Sequence, residues 1–255
     1  MDMSAYKIEA GTGQHIGGRP RQHDRAALYA GARAPGYMMA VLADGDGAAS
    51  AAEQVLHTSK HLFDGFAAGA DTSPEHMARL LREVVQEAHA IVKMSPALGQ
   101  AEARCALALL MLGPQRQAVW AHVGDCRVYR FDGARCAARS GDAAYVEHLV
   151  RQDGLAPESA RKHRSSALLG NALGNRFKEP FITFGSHAGV RAGDAFMLCS
   201  DGLWQFFADA ELAAVVAKET PRQAAERLIG KALERAGGKG DNCSMAIVKL
   251  VAPAA

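Results

Sequence analysis

Nothing in the 255 residues comes close to the unbroken run of ~18 apolar residues that a membrane-spanning helix needs. The opening, MDMSAYKIEAGTGQ, lacks the charged and then apolar layout of a secretory leader. An excess of one charge is missing too. The 29 Lys and Arg against 27 Asp and Glu leave +2, with no long basic block, which excludes the footprint of a nucleic-acid or anionic-membrane binder. CxxC pairs are absent. The five cysteines (Cys105, Cys126, Cys136, Cys199 and Cys243) are odd in number and mostly lie in apolar runs, so they read as small buried side chains in a reducing compartment. A cytoplasmic protein is expected, with no nucleic acid and no membrane among its partners. There is no internal repeat and no low-complexity linker, and only the VAPAA tail is expected to fray, so one domain over 1–255 accounts for the chain. GTGQHIG is glycine-rich, but it lacks GxGxxG spacing and opens no helix, so it gives no dinucleotide signature.

What is present is an ordinary core-forming composition, 49% hydrophobic and 22% charged. YKIEAGTGQ and GYMMAVLAD read as strands, and residues 48–68 as a helix. TSPEHMARLLREVVQEAHAIVKM is the clearest helix. Ser73 can cap it, Pro74 suits its first turn, and Met77, Leu80, Leu81, Val84, Val85, Ala88, Ile91 and Val92 share one apolar face. Strands over 103–112, 117–123, 126–131 and 133–139 follow, joined by short turns of hairpin type. After a mixed segment over 141–180 come the strand DAFMLCS, helices over 208–218 and 221–236, and a last strand, CSMAIVKLV. The order lacks the strict βαβ rhythm of a doubly wound sheet. It predicts an α+β layered domain of two antiparallel sheets with helices outside them.

The aspartates fall at the ends of these strands. YMMAVLAD stops on Asp44, QAVWAHVGD on Asp125 and AFMLCSD on Asp201, while Asp241 stands just before CSMAIVKL. In antiparallel pairing, the end of one strand lies beside the start of the next, so four such carboxylates can converge on one edge of a sandwich. Converging carboxylates repel unless they take up protons or share a cation. Without His or Cys ligands they favour Mg²⁺ or Mn²⁺, and several in one cleft suggest more than one ion. Two rival motifs fail. Asp44-Gly45-Asp46 starts like a calcium loop, but Ala48 and Ala49 stand where a ligand and the glycine belong. His57 and His61 have the spacing of a zinc-protease helix, but Thr58 replaces its glutamate, so they read as ordinary helix histidines. Upstream, RPRQHD offers Arg19 and Arg21, forks suited to phosphate, together with Asp24.

Taken in order, RPRQHD, VLADGDG, AHVGDCRVYR, LLGNALG, LCSDGLW and GDNCSMAIVKL resemble the type 2C metal-dependent protein phosphatases from about residue 8 to 250. The resemblance implies a four-layer α-β-β-α sandwich, two central antiparallel sheets flanked by helix pairs. It implies a bacterial-type, stand-alone catalytic domain that hydrolyses phosphoserine and phosphothreonine in proteins with a metal-activated water, opposing Ser/Thr kinases. It makes Asp44, the Gly45 carbonyl, Asp201 and Asp241 ligands of two Mn²⁺ or Mg²⁺ ions. Asp125 becomes, with Asp201, a ligand of a third. Asp24 orients water, Arg19 holds the substrate phosphate, Asn242 supports the ligands, and about 141–175 forms a flap ending in LLGNALG. The partner is a phosphorylated protein, a kinase or its targets, and the enzyme a monomer. The alternative is a catalytically weak pseudophosphatase that only binds phosphoproteins. This chain departs from the family pattern at Gln22-His23, where Asn and then Glu or Gln are usual, and at Cys126, usually Ser. It departs again at Asp46, where relatives carry His or Met; here Asp46 is expected to anchor water or a cation.

Overall fold

The computed structural model describes residues 6–46, 50–67, 69, 71–99, 101–141 and 170–253. Among the described residues, ten strands form two five-stranded antiparallel sheets. One sheet runs β1 (Lys7–His15), β10 (Cys243–Val251), β9 (Asp194–Cys199), β6 (Arg127–Asp132) and β7 (Arg135–Arg139) from edge to edge. The other runs β2 (Arg25–Ala30), β3 (Met38–Asp46), β4 (Arg104–Gly113), β5 (Gln117–Val123) and β8 (Thr183–Ala188). Two helices, α1 (Ala51–Gly65) and α2 (Pro74–Lys93), cover the second sheet. The first is covered by the short α3 (Asp201–Trp204) with α4 (Asp209–Lys218) and α5 (Pro221–Ala236). This is the expected four-layer α-β-β-α sandwich. No helix among the described residues is long and apolar enough to cross a membrane.

The layering explains why the central strands are apolar over most of their length. Along β3, Met39, Val41 and Ala43 face the α1–α2 layer, while Met38, Ala40 and Leu42 face the space between the sheets. Along β10, Ala246, Val248 and Leu250 enter that same space, while Cys243, Met245 and Ile247 meet α4 and α5. A strand buried on both faces loses the polar alternation of a half-exposed one. Each fully buried Leu, Met or Phe in these layers contributes about 1.5–3 kcal/mol relative to exposure.

α2 follows its sequence closely. The Ser73 hydroxyl accepts a hydrogen bond from His76 N at 3.2 Å, and the predicted face is buried except Ile91, which is half-exposed. His89 is buried beside that face and accepts from Gly174 N at 3.1 Å. The helix expected over 48–68 is Ala51–Gly65 within the described residues. Two strands, β2 and β8, and the four-residue α3 are additions to the sequence reading. Of the expected flap, 142–169 lies outside the described residues.

Candidate metal centre

Antiparallel pairing assembles the acidic edge. The β2–β3 register sets Arg25 opposite Ala43, which brings Asp24 beside Asp44. The β9–β10 register sets Cys199 opposite Met245, so Asp201, just past β9, meets Asp241, just before β10. Asp125 sits in the turn by which the chain leaves β5 in one sheet for β6 in the other. That turn needs Gly124, whose φ of +82° lies in the left-handed region and whose missing Cβ would stand 2.7 Å from Ala106 Cβ. Gly202 permits an equally close approach: a Cβ there would lie 2.0 Å from the Asn242 carbonyl oxygen.

The result is a cavity of about 500 Å³ lined by Arg19, His23, Asp44, Gly45, Asp46, Arg104, Asp125, Asp201, Asp241 and Asn242, among others. Asp24 lies behind it, 1% exposed. Every ligand, phosphate-binding and water-orienting residue expected from the sequence is therefore at this one site. A larger hollow of about 660 Å³ between α1 and α2 is lined by His61 and His76, but His76 is already engaged with Arg79 and Asp71. His57 and His61 are exposed on α1, as expected of ordinary helix histidines.

The carboxylates crowd one another. Burial, and then the charges of Asp24, Asp201 and Asp125, push the Asp44 carboxyl well above its ordinary value. Burial, Asp125, Asp241 and Asp24 together push Asp201 up to about 7. Burial raises Asp24 as well, although the neighbouring Ser200, Asp44 and Ser244 side chains pull it the other way. Asp24 Oδ2 is buried with no hydrogen-bond donor among the described residues. So many hard oxygen donors, disfavoured as anions and including an orphaned one, fit divalent cations of the Mg²⁺ and Mn²⁺ type.

Side chains from distant parts of the sequence hold the frame. Asn242 accepts from His23 N at 2.6 Å and donates to the Ile16 and Arg21 carbonyls at 2.8 and 3.0 Å, tying the RPRQHD loop to the start of β10. Trp204 Nε1 donates to the Asp125 carbonyl at 2.9 Å, and the Arg127 guanidinium lies 3.3 Å from the Trp204 ring centroid. Sequence reasoning misses both the Trp204 contact and the nearness of Cys126 Sγ to Asp44 and Asp125. SDGLW marks the tryptophan without saying what it holds. Arg19 lies at the rim, its side chain 58% exposed and ion-paired with Asp241.

No family model matches the chain. It is 30% identical over 241 residues to the serine/threonine protein phosphatase PstP of Mycobacterium tuberculosis, an alignment covering 92% of this chain and 43% of that protein. The chain spans about half the length of the curated relatives it matches. Among solved structures, the S. agalactiae serine/threonine phosphatase superposes with a TM-score of 0.74 at 22% identity, covering 95% of this chain and 99% of that one. The catalytic domain of PstP in complex with two manganese ions gives 0.65 at 27% identity, covering 96% and 98%.

Proposed function

The chain belongs to the bacterial type 2C serine/threonine protein phosphatases, and from that premise we propose that it hydrolyses phosphoserine and phosphothreonine in proteins at the acidic edge of the sandwich. The observation that carries the reading is the convergence of Asp24, Asp44, Asp125, Asp201 and Asp241, two of them pushed far above the ordinary carboxylate range. Asp44, the Gly45 carbonyl, Asp201 and Asp241 would hold two ions, Mn²⁺ or Mg²⁺, with Asp125 and Asp201 available to a third. Bound there, such ions supply Lewis-acid activation of water and charge neutralisation for the phosphoryl oxygens.

The protein's own groups do the rest. Arg19 offers a planar fork at the rim, suited to a phosphate in two-point contact. Asp24 orients water through Oδ2, the oxygen that no donor among the described residues occupies. Asn242 keeps Arg19 and Asp24 in register with Asp241 by fixing the loop between them. Asp46, exposed on the last residue of β3, anchors water or a further cation. The whole chain acts as one catalytic domain, as a cytoplasmic monomer, on a phosphorylated kinase or its targets.

The test is hydrolysis of p-nitrophenyl phosphate and of a phosphothreonine peptide by pure protein with Mn²⁺, abolished by EDTA. Failure to hydrolyse either in the presence of Mn²⁺ or Mg²⁺ overturns the reading.

A further inference from the structure

We propose that Cys126 gives one corner of this centre a sulfur donor, making it a site for a thiophilic divalent ion of the zinc class, Zn²⁺ or Cd²⁺, that competes with the hard ions for Asp44. The inference rests on the metal-centre reading above. A carboxylate oxygen of Asp44, one of Asp125 and Cys126 Sγ all lie within 4.8 Å of one another. Ligands of a single zinc, with bonds of about 2.3 Å to sulfur and 2.0–2.2 Å to oxygen, stand ~3–4 Å apart, so small side-chain rotations close this set on one ion. A second observation points to a cation on Asp44. The Asp24 carboxylate, 1% exposed, lies against that of Asp44, and its Oδ2 has no donor among the described residues. A cation on Asp44 neutralises both.

Sulfur changes which cation is favoured. Oxygen-only sets suit Mg²⁺ and Mn²⁺, whereas a thiolate adds selective affinity for zinc-class ions. The exchange balances simply: the Sγ–H bond breaks, an Sγ–metal bond forms, and the proton passes to buffer with no change of oxidation state. Because Asp44 belongs to both arrangements, a zinc-class ion in this corner displaces the hard ion from that carboxylate. The thiol is buried behind the cavity wall, and the two carboxylates it shares the corner with, Asp44 and Asp125, line the cavity.

The experiment adds CdCl₂ to the metal-free 255-residue chain, wild type, Cys126→Ser and Cys136→Ser. Cys136 is the one cysteine that is not buried, and its variant controls for adventitious thiol binding. The expected result is an ultraviolet thiolate-to-cadmium absorption with proton release in the wild type, kept in Cys136→Ser and lost in Cys126→Ser. Cadmium affinity should fall at least about tenfold in Cys126→Ser, a scale that even indirect partners of a metal reach. Mn²⁺ binding, followed by electron paramagnetic resonance, should persist in all three. Cadmium NMR of the wild type, where one sulfur ligand moves the resonance away from the all-oxygen range, decides the same question if the serine variant does not fold. If the wild type binds Mn²⁺ but shows no cadmium–sulfur signature, or if the signature survives Cys126→Ser, the sulfur corner is overturned and the hard-metal reading stands. Binding of neither ion overturns both.

Discussion

Asp201 is the residue on which most of the centre turns. It stands beside Asp125 and Asp241, and burial first, then the charges of those two and of Asp24, raise its pKa. Asp201→Asn keeps the shape and removes the charge, so the catalytic rate with Mn²⁺ should fall by at least about two orders of magnitude. Near-normal turnover in that variant would refute its place among the ligands. Arg19→Ala should act differently, raising KM for a phosphopeptide with a smaller effect on kcat; a change confined to Mn²⁺ affinity would contradict the phosphate role. Both residues are legible in the sequence because they sit beside strand ends and in a recognisable order. Their partners are not. Arg19 meets Asp241 across 222 positions, and Trp204 reaches Asp125 across 79. Pairings that long depend on the register of several strands at once, which no local pattern encodes.

At the scale of elements, the buried strands and amphipathic helices announce themselves and the edges do not. β2 and β8 are the two edge strands of their sheet. RAALYA is half-buried along most of its length, and TFGSHA mixes a glycine, a serine and a histidine into six residues, so neither shows a clean period of two. The register of α3 against the start of β10 offers a direct test. A methyl group at position 202 would press on the Asn242 carbonyl, and backbone cannot step aside as a flexible side chain can. Gly202→Ala should therefore destabilise the protein by about 1–3 kcal/mol in denaturant unfolding. It should also weaken Mn²⁺ binding by calorimetry, since Asp201 and Asn242 flank the contact.

The molecule as a whole carries the electrostatic cost of its acidic edge. Asp44, Asp24 and Asp201 are raised in the fold, Asp201 from 3.8 to about 7, so the folded state holds protons that the unfolded chain releases. Stability from these groups is present at low pH and is lost as pH climbs from about 4 to 7. His89, whose pKa burial lowers, runs the opposite way over part of that window. Subtracting the melting curves of Asp201→Asn from those of the wild type removes His89, which both share. The metal-free difference should favour the wild type less as pH rises to 7. Added Mn²⁺ should raise the wild-type Tm most near neutrality, because an ion that binds only the folded state stabilises it by mass action. A wild-type Tm that Mn²⁺ leaves unmoved at pH 7 would contradict this.

The strand order has a further consequence, in time instead of space. β10 lies between β1 and β9 and supplies the register that places Asp241 against Asp201 and, through Asn242, the loop bearing Arg19. During synthesis residues up to 242 precede that strand, and until it inserts, β1 has no neighbour in its sheet among the described strands. A nascent or truncated chain can thus carry every phosphate-directed motif but the last and still own no centre. Competence waits on β10, which brings the RPRQHD loop and the Asp241 segment together.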